Sequence, residues 1–345
     1  MNIIDLRSDT ITKPTPEMWE AMAHAEVGDD VYGEDPCVNR LQEMAAERLG
    51  KQAALFVASG TMGNLAAVLA HCGRGDEVIL GDKAHTFLLE AGGVSALGGV
   101  HSRQVPNLPD GTLRLEDIRD AIRSEDPHQP ITRLVALENT HNRCGGAPLS
   151  AAYTQAVGDL AHENGLLLHI DGARIFNAAA ALGVDARELA APADSITFCL
   201  SKALCAPVGS LLCGSKEFIT RAHRIRKQLG GGMRQAGVLA AAGIVALEHM
   251  TGRLVDDHRR ARLLAQGLEP IRGLVLDPGT PQSNMVFCTL AEGVSTDAPQ
   301  VAATLAGGGV RVGTVGKQRF RLVTHYWISD EDVARAVEAF RTVLS

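Results

Sequence analysis

The feature that most constrains the fold is the alternation, from about residue 50 onward, of short apolar runs with amphipathic stretches. Helical patterns such as Ala151–Glu163 and Arg187–Ala191 lie between the runs, which are bounded by Gly, Asp or Asn. Continuous apolar strands that alternate with helices predict a mostly parallel sheet covered on both faces. The candidate strands are Ala53–Ala58, Glu77–Leu80, Arg133–Leu137, Leu166–Ile170, Ser195–Leu200 and Val208–Cys213.

The pattern changes after Thr251, where a basic-acidic helix from Leu254 to Leu268 leads into short strands and a terminal helix from Ser329. Such a mixture is typical of a smaller α+β domain. We therefore predict an N-terminal segment over residues 1–14, a large α/β domain over 15–250 and a small domain over 251–345. The strands of the small domain are expected near Met285–Leu290, Val310–Gly313 and Phe320–Val323.

Composition excludes several classes of protein. The chain has 345 residues and a formal net charge of −7, and this mild acidity argues against a nucleic-acid or anionic-membrane partner. No window approaches the ~18 continuous apolar residues of a membrane span, and the Ala-rich stretch from Gly237 to Leu247 is interpreted as a buried helix. The N-terminus carries charges where a signal peptide would have its apolar core. The seven Cys include no Cys-x-x-Cys pair, and they support neither a disulfide framework nor a zinc site. From these observations together we expect a soluble, cytoplasmic chain without a metal site.

Two of the candidate strands end on residues that carry chemistry. Leu166–Ile170 is followed by Asp171, and Ser195–Leu200 is followed by Ser201 and Lys202. Ligands of parallel sheets bind at the carboxyl ends of the strands. A carboxylate that keeps a pyridine nitrogen protonated and an amine that binds an aldehyde covalently are what pyridoxal 5′-phosphate requires. An Asp that caps a helix and a surface Lys are the alternatives, but an unpaired ammonium between apolar runs would be costly.

A phosphate group fits the turn after the first candidate strand. Ser59, Gly60 and Thr61 follow Ala53–Ala58 and precede the helix predicted over Leu65–Ala70. A Gly-Thr turn at a helix N-terminus offers free N–H groups, a hydroxyl and the positive end of the helix dipole. The alternative is a plain turn in which Thr caps the helix. The turn matches neither dinucleotide nor P-loop patterns.

Further polar groups end other strands. His85 follows Glu77–Leu80, where its imidazole could cover a planar cofactor ring, cap a helix or belong to the core. Glu138 to Asn142 form a dense polar cluster after Arg133–Leu137. Arg321 ends a small-domain strand, and an amino-acid carboxylate would need such a guanidinium.

A basic run and a triple glycine lie close together between residues 223 and 235. We interpret the run from His223 to Lys227 as a solvated helix face. The glycines Gly230–Gly232 would let backbone or a partner subunit approach closely.

Several motifs together resemble those of the low-specificity L-threonine aldolases, which are fold-type-I pyridoxal phosphate enzymes. The likeness runs in order from residue 5 to about 326. The motifs are Asp5–Thr10, Val27–Gly33, Glu138–Asn142, His169–Asn177, Cys199–Lys202, Pro207–Ser210 and Gly230–Gln235.

The resemblance implies a role for each matching residue. Lys202 would bind the cofactor covalently, Asp171 would contact the pyridine nitrogen and His85 would stack on the ring. Gly60 and Thr61 would hold the phosphate. Ser8, Arg174 and Arg321 would bind the substrate carboxylate. His128 would contact the substrate hydroxyl. Tyr32 and Arg234 would reach the site of a neighbouring subunit.

The resemblance also implies an activity and an assembly. Cleavage of the Cα–Cβ bond of L-threonine, L-allo-threonine or a related β-hydroxy-α-amino acid would yield glycine and an aldehyde. Family members are tetramers built from dimers, with sites at the dimer interface. The sequence departs from the usual pattern of the family at Ala203–Ala206, after the lysine, and at Arg143–Gly146, after the Glu138 cluster. These departures leave open which substrate side chain is preferred.

Two other interpretations stay open from the sequence. The chain could be another fold-type-I lyase or a transaminase that acts at Cα–H or at the γ-carbon. It could also bind pyridoxal phosphate without catalysis. Three observations separate these possibilities. Formation of an aldehyde and glycine indicates the aldolase, formation of a keto acid indicates the other enzyme classes, and bound cofactor without turnover indicates a binding protein. The sequence does not reveal a structural cation.

Overall fold

The computed structural model describes residues 3–344, and these divide into two compact units. One unit comprises residues 14–251, and the other comprises the described residues up to 13 and from 252 onward. The strands are β1 (Ile4–Leu6), β2 (Ala53–Val57), β3 (Asp76–Gly81), β4 (His101–Val105), β5 (Ile131–Glu138), β6 (Leu167–Asp171), β7 (Ser195–Cys199), β8 (Ser210–Gly214), β9 (Leu274–Leu276), β10 (Met285–Leu290), β11 (Val310–Val315) and β12 (Arg319–Val323).

The helices begin and end largely at residues suited to caps, such as Asp35 before Pro36 and Gly50 after Leu49. They are α1 (Pro16–Ala23), α2 (Pro36–Leu49), α3 (Gly60–His71), α4 (His85–Leu88), α5 (Gly93–Ala96), α6 (Leu115–Ala121), α7 (Ala151–Glu163), α8 (Ile175–Leu182), α9 (Ala186–Ala190), α10 (Lys216–Gln228), α11 (Gly237–Val245), α12 (Leu254–Leu268), α13 (Ala298–Gly307) and α14 (Asp330–Leu344).

The large unit, residues 14–251, contains a seven-stranded sheet in the order β2-β8-β7-β6-β5-β3-β4. The strands from β7 to β4 in this order pair in parallel, while β8 runs antiparallel to both β7 and β2. The mostly parallel sheet predicted from the sequence is thus confirmed, and β8 is the one reversed strand among the residues described. Strand β4 was not predicted, because His101, Arg103 and other polar residues occupy this edge strand.

Adjacent strands in the centre of this sheet are in register at their carboxyl ends. Asp171 on β6 is paired with Glu138 on β5 and with Thr197 on β7. Since paired residues of parallel strands point to the same face, the three side chains form a row. Helix α3 packs on that face, where an added Cβ on Gly63 would meet Thr197 Cγ2 at 2.7 Å.

The small unit contains a five-stranded sheet in the order β1-β11-β12-β10-β9. Strand β1 pairs in parallel with β11, with Ile4 opposite Val310, so the N-terminal residues belong to the same sheet as the C-terminal part. Its core is formed by apolar side chains of the sheet and of helices α12, α13 and α14, including Leu264, Phe320 and Phe340.

Among residues 3–344 no single helix is long and apolar enough to cross a membrane, and one successive pair, Gly237–Met250 and Leu254–Leu268, meets that test only when taken together. Helix α11, which continues as a π-helical turn over Ala246–Met250, consists mainly of buried side chains, as expected for the Ala-rich stretch.

Candidate active site

The polar residues predicted at strand ends lie at the carboxyl edge of the seven-stranded sheet. Asp171 is the last residue of β6, and its side chain is buried. One of its oxygens, Oδ1, accepts a hydrogen bond from the backbone N–H of Ala173 at 3.1 Å. A carboxylate has about four acceptor positions, so Asp171 keeps acceptor capacity for a protonated ring nitrogen.

Lys202 lies three residues beyond the end of β7 and is half-buried. It lines a small cavity together with Arg174, Asn177 and Cys199. The structure therefore brings Lys202 and Arg174, which is buried at the start of α8, to one cavity. The turn after Lys202 is tight, and Cys205 within it has a φ of 65°, a region that favours glycine.

The proposed phosphate turn lies at the N-terminus of α3. The helix begins at Gly60, five residues earlier than predicted, and Ser59 caps it by accepting a hydrogen bond from Met62 N–H at 3.2 Å. Thr61 is therefore not the cap, and its side chain is exposed beside the first turn of the helix. The first helical N–H groups remain the natural ligands for an anion.

Gly60 packs closely against the sheet. An added Cβ at Gly60 would come within 2.9 Å of Cys199 Sγ. Two buried hydroxyls beside this contact, on Thr197 and Ser210, have no hydrogen-bond partner within the described residues. The N–H groups and hydroxyls at the N-terminus of α3 can donate to a phosphate, the carboxylate of Asp171 can accept from a ring nitrogen, and Lys202 offers an amine for an aldehyde, so the groups fit a phosphorylated pyridine aldehyde.

We expect Gly60→Ala to weaken pyridoxal phosphate binding by about tenfold or more, because the added methyl must push the helix N-terminus away from Cys199. Titration of the cofactor by fluorescence would measure the affinity. Gly307→Ala in α13, where an added Cβ meets no atom within 4 Å, is the matched control. Equal affinities in the two variants would contradict a phosphate site at Gly60.

His85 begins the short helix α4 and is held by two carboxylates. Its backbone N–H donates to Glu138 Oε2 at 2.7 Å, and its ring Nδ1 lies 2.8 Å from Glu90 Oε1. The hydrogen bond to Glu90 raises the pKa of His85, and the nearby charges of Asp171 and Glu138 act in the same direction. Burial raises the pKa of Glu90, against the effect of its hydrogen bonds.

Ligand atoms of His85, Glu90 and Asp171 lie within 4.8 Å of one another. Glu90 was not predicted from the sequence, because nothing in its local pattern shows that α4 turns the chain back toward it. Two of the three, Asp171 and His85, are residues that the sequence predicts beside the cofactor ring.

His128 does not join this site within one chain. It lies three residues before the start of β5, whereas the site is at the other end of that strand, beyond Glu138. Eight strand residues span roughly 25 Å at ~3.3 Å per residue. The side chain is 89% exposed and its Nδ1 contacts Asp126 Oδ1 at 2.7 Å. Contact between His128 and the substrate hydroxyl would therefore need a second subunit.

Tyr32 and Arg234 lie together on the surface of the large unit. Arg234 Nη1 donates to Asp29 Oδ2 at 2.9 Å, and the Arg234 carbonyl accepts from Asp30 N–H at 3.0 Å. Tyr32 is 75% exposed, which is unusual for an aromatic side chain. Close to them, an added Cβ at Gly231 would clash with the side chain of Met62 on α3, so this glycine lets a side chain approach closely.

The basic run before these glycines is only in part a solvated face. Arg226 on α10 is 1% exposed, and it pairs with Asp30 Oδ2 at 2.7 Å and donates to the carbonyl of Phe56 at 2.7 Å. The prediction of a fully solvated run was wrong at this residue, because helical periodicity turns one member of a basic run toward the protein.

Ser8 and Arg321 are brought together in the small unit. Arg321 Nη2 donates to the carbonyl of Arg7 at 3.2 Å. Ser8 caps the short turn Asp9–Ile11, and its Oγ accepts from the backbone N–H of Thr10 at 3.2 Å. A hydroxyl and a guanidinium are thus neighbours there.

The fold is that of the fold-type-I pyridoxal phosphate enzymes. The structure is similar to that of a threonine aldolase of Leishmania major, with a TM-score of 0.85, 24% identity, and coverage of 99% of this chain and 100% of that chain. It is also similar to the serine palmitoyltransferase of Sphingomonas wittichii, with a TM-score of 0.78, 20% identity, and coverage of 99% and 87%.

Sequence comparison narrows the class. Residues 5–291 match the family model described as Beta-eliminating lyase. The chain is 50% identical to the probable low-specificity L-threonine aldolase 2 of Arabidopsis thaliana over 99% of this chain and 97% of the relative. It is 44% identical to the low specificity L-threonine aldolase of Escherichia coli K12 over 99% and 100%. The chain belongs to the low-specificity L-threonine aldolase family, within the beta-eliminating lyases.

Proposed function

We propose that this protein is a pyridoxal-phosphate-dependent aldolase that cleaves L-threonine, L-allo-threonine and related β-hydroxy-α-amino acids to glycine and an aldehyde. The observation that carries the proposal is the cluster of Asp171, Lys202, Arg174 and His85 at one sheet edge in a member of this family. Bound pyridoxal phosphate supplies an electron sink for the bond that breaks at Cα.

The residues of the chain then have separate tasks. Lys202 would hold the cofactor through its side-chain amine. Asp171 would keep the ring nitrogen protonated, and Gly60 and Thr61 would hold the phosphate. Ser8, Arg174 and Arg321 are the residues that the family resemblance implies for the substrate carboxylate, whose binding would align the Cα–Cβ bond for cleavage.

His85 is our candidate for the base that takes the β-hydroxyl proton. An imidazole accepts a proton only in its neutral form, so cleavage should decline as the pH falls through the pKa of His85, which its hydrogen bond to Glu90 raises. His128 of a neighbouring subunit is the alternative base. Tyr32 and Arg234 would reach a neighbour's site in a homotetramer built from dimers, and the cytoplasm is the proposed compartment.

Product analysis tests the function. We expect L-threonine, L-allo-threonine and β-phenylserine, assayed side by side with bound cofactor, to give glycine and the matching aldehyde in equal amounts. A keto acid would indicate a transaminase or an eliminating lyase. Bound cofactor without turnover on any of the three would contradict the proposal.

The carboxylate site has its own prediction. Arg321→Lys should raise KM for the amino acid by roughly ten- to a hundredfold, because one ammonium cannot replace the paired N–H groups of a guanidinium. Arg311→Lys is the control, since Arg311 is a half-exposed side chain on the neighbouring strand β11. An unchanged KM would remove Arg321 from the site.

A further inference from the structure

A chain of hydrogen bonds runs from His85 along the buried side of α3. Glu90 Oε1 lies 2.8 Å from His85 Nδ1 and accepts from Asn64 Nδ2 at 2.9 Å. Asn64 Oδ1 lies 3.2 Å from His169 Nε2. Ser195 Oγ then links His169 Nδ1, at 2.8 Å, to another ring.

That ring belongs to His71, the last residue of α3, whose Nε2 lies 2.7 Å from Ser195 Oγ. Glu90, Asn64, His169 and Ser195 are each at most 5% exposed. We call Glu90, Asn64, His169, Ser195 and His71 the α3 hydrogen-bond chain. A buried chain of this length restricts where every proton in it can lie.

Chemistry determines the direction of the first links. An oxygen of Glu90 accepts, so Asn64 must turn its NH2 toward Glu90 and its carbonyl toward His169. His169 consequently donates from Nε2. Burial lowers the pKa of His169 to about 4, so the ring is neutral and its Nδ1 is an acceptor.

The last links follow in the same way. The Ser195 hydroxyl donates its one hydrogen bond to His169 Nδ1, and the Ser195 oxygen accepts a hydrogen bond from His71 Nε2–H. Burial lowers the pKa of His71 to about 3, and its Nδ1 is buried without a hydrogen-bond partner in the part of the chain described. When the neutral His71 ring carries its proton on Nε2, the unpartnered Nδ1 has only a lone pair. A buried lone pair without a partner is tolerated more readily than a buried N–H without one.

We propose that the α3 hydrogen-bond chain holds Glu90 Oε1 toward His85 and thereby keeps the proton of the neutral His85 ring on Nδ1. The lone pair of Nε2 is then left for the β-hydroxyl proton of the substrate. This inference rests on the proposed role of His85, and it makes Glu90, Asn64 and His169 positioning residues. In residues 3–344 the hydrogen bonds of His85 involve Nδ1 and the backbone, and none involves Nε2.

The tautomer can be observed without turnover. In the holoenzyme labelled with ¹⁵N-histidine, at alkaline pH, we expect His85 to show the Nδ1–H tautomer and His169 and His71 to show the Nε2–H tautomer. Loss of each signal on replacement of that histidine by Gln assigns it. A His85 ring protonated on Nε2, or a mixture of tautomers, would overturn the proposal.

Variants test the remote links. Asn64→Leu should convert His85 to a tautomer mixture and lower kcat about tenfold with little change in KM. Asn64→Asp, which keeps the volume and loses the NH2, gives the same readout if the Leu variant does not fold. Glu90→Gln retains an acceptor oxygen and should retain the Nδ1–H tautomer. Unaltered His85 signals in both Asn64 variants would overturn the role of the chain.

The matched control is Asn284→Leu. Asn284 is a buried asparagine of the small unit whose Nδ2 donates to the Thr324 carbonyl at 3.1 Å. Its loss should lower stability without changing the His85 signals. Failure of the proposed function is distinguishable, because an enzyme that cleaves no β-hydroxy amino acid would still show these tautomers.

Discussion

Lys202→Ala should abolish both the visible absorption band of the lysine-bound cofactor and the formation of glycine, lowering kcat by about a thousandfold or more. In the proposed function the amine of Lys202 would hold the cofactor aldehyde, and alanine has no group that could replace it. Spectra recorded on addition of pyridoxal phosphate, with glycine quantified after incubation with L-threonine, measure both effects.

The control for this variant is Lys216→Ala. Lys216 is an exposed lysine at the start of α10, and its side chain has no place in the proposed site. The Lys216→Ala variant should keep the absorption band and the activity of the wild type. Full activity of Lys202→Ala would show that the covalent lysine has been misassigned.

Asp171→Asn should lower kcat by roughly a hundred- to ten-thousandfold while the protein still binds the cofactor. The amide can still accept the Ala173 N–H bond that Asp171 accepts at 3.1 Å. It cannot keep a pyridine nitrogen protonated, because it carries no charge. Single-turnover rates and cofactor affinity, measured separately, distinguish loss of chemistry from loss of binding.

Asp297→Asn offers a comparison with the same chemical change. Asp297 caps α13 in the small unit, and Asn is an equally good cap. This variant should keep wild-type kcat. If Asp171→Asn were equally active, Asp171 would not be the partner of the ring nitrogen.

Much of the fold was predictable because its signals are local. Helices Ala151–Glu163 and Leu254–Leu268 and strand Met285–Leu290 have the predicted bounds. Their periodicity and caps lie within the segment itself. The pairing of Ile4 with Val310, in contrast, joins residues far apart in the sequence and carries no local signal.

The candidate site was predictable to the same degree. Asp171 and Lys202 end apolar runs, so parallel pairing places both at one sheet edge. Glu90 and Asn64 gave no such signal, since their contact with His85 depends on the turn of α4 and the packing of α3. His128 is a different case: it lies at the amino end of β5, away from Lys202 within the chain, so its proposed contact with the substrate depends on a second subunit and stays a prediction.

Helix α3 serves two parts of the site, with Gly60 at its first residue and Asn64 and His71 farther along. A tilt of this helix would move the N–H groups proposed to hold the phosphate together with the α3 hydrogen-bond chain. Cofactor binding and the ionisation of His85 should therefore be thermodynamically linked, each changing the free energy of the other by the same amount. A change in α3 that couples more strongly to the bound cofactor would therefore also change the difference in the pKa of His85 between the cofactor-free and cofactor-bound protein.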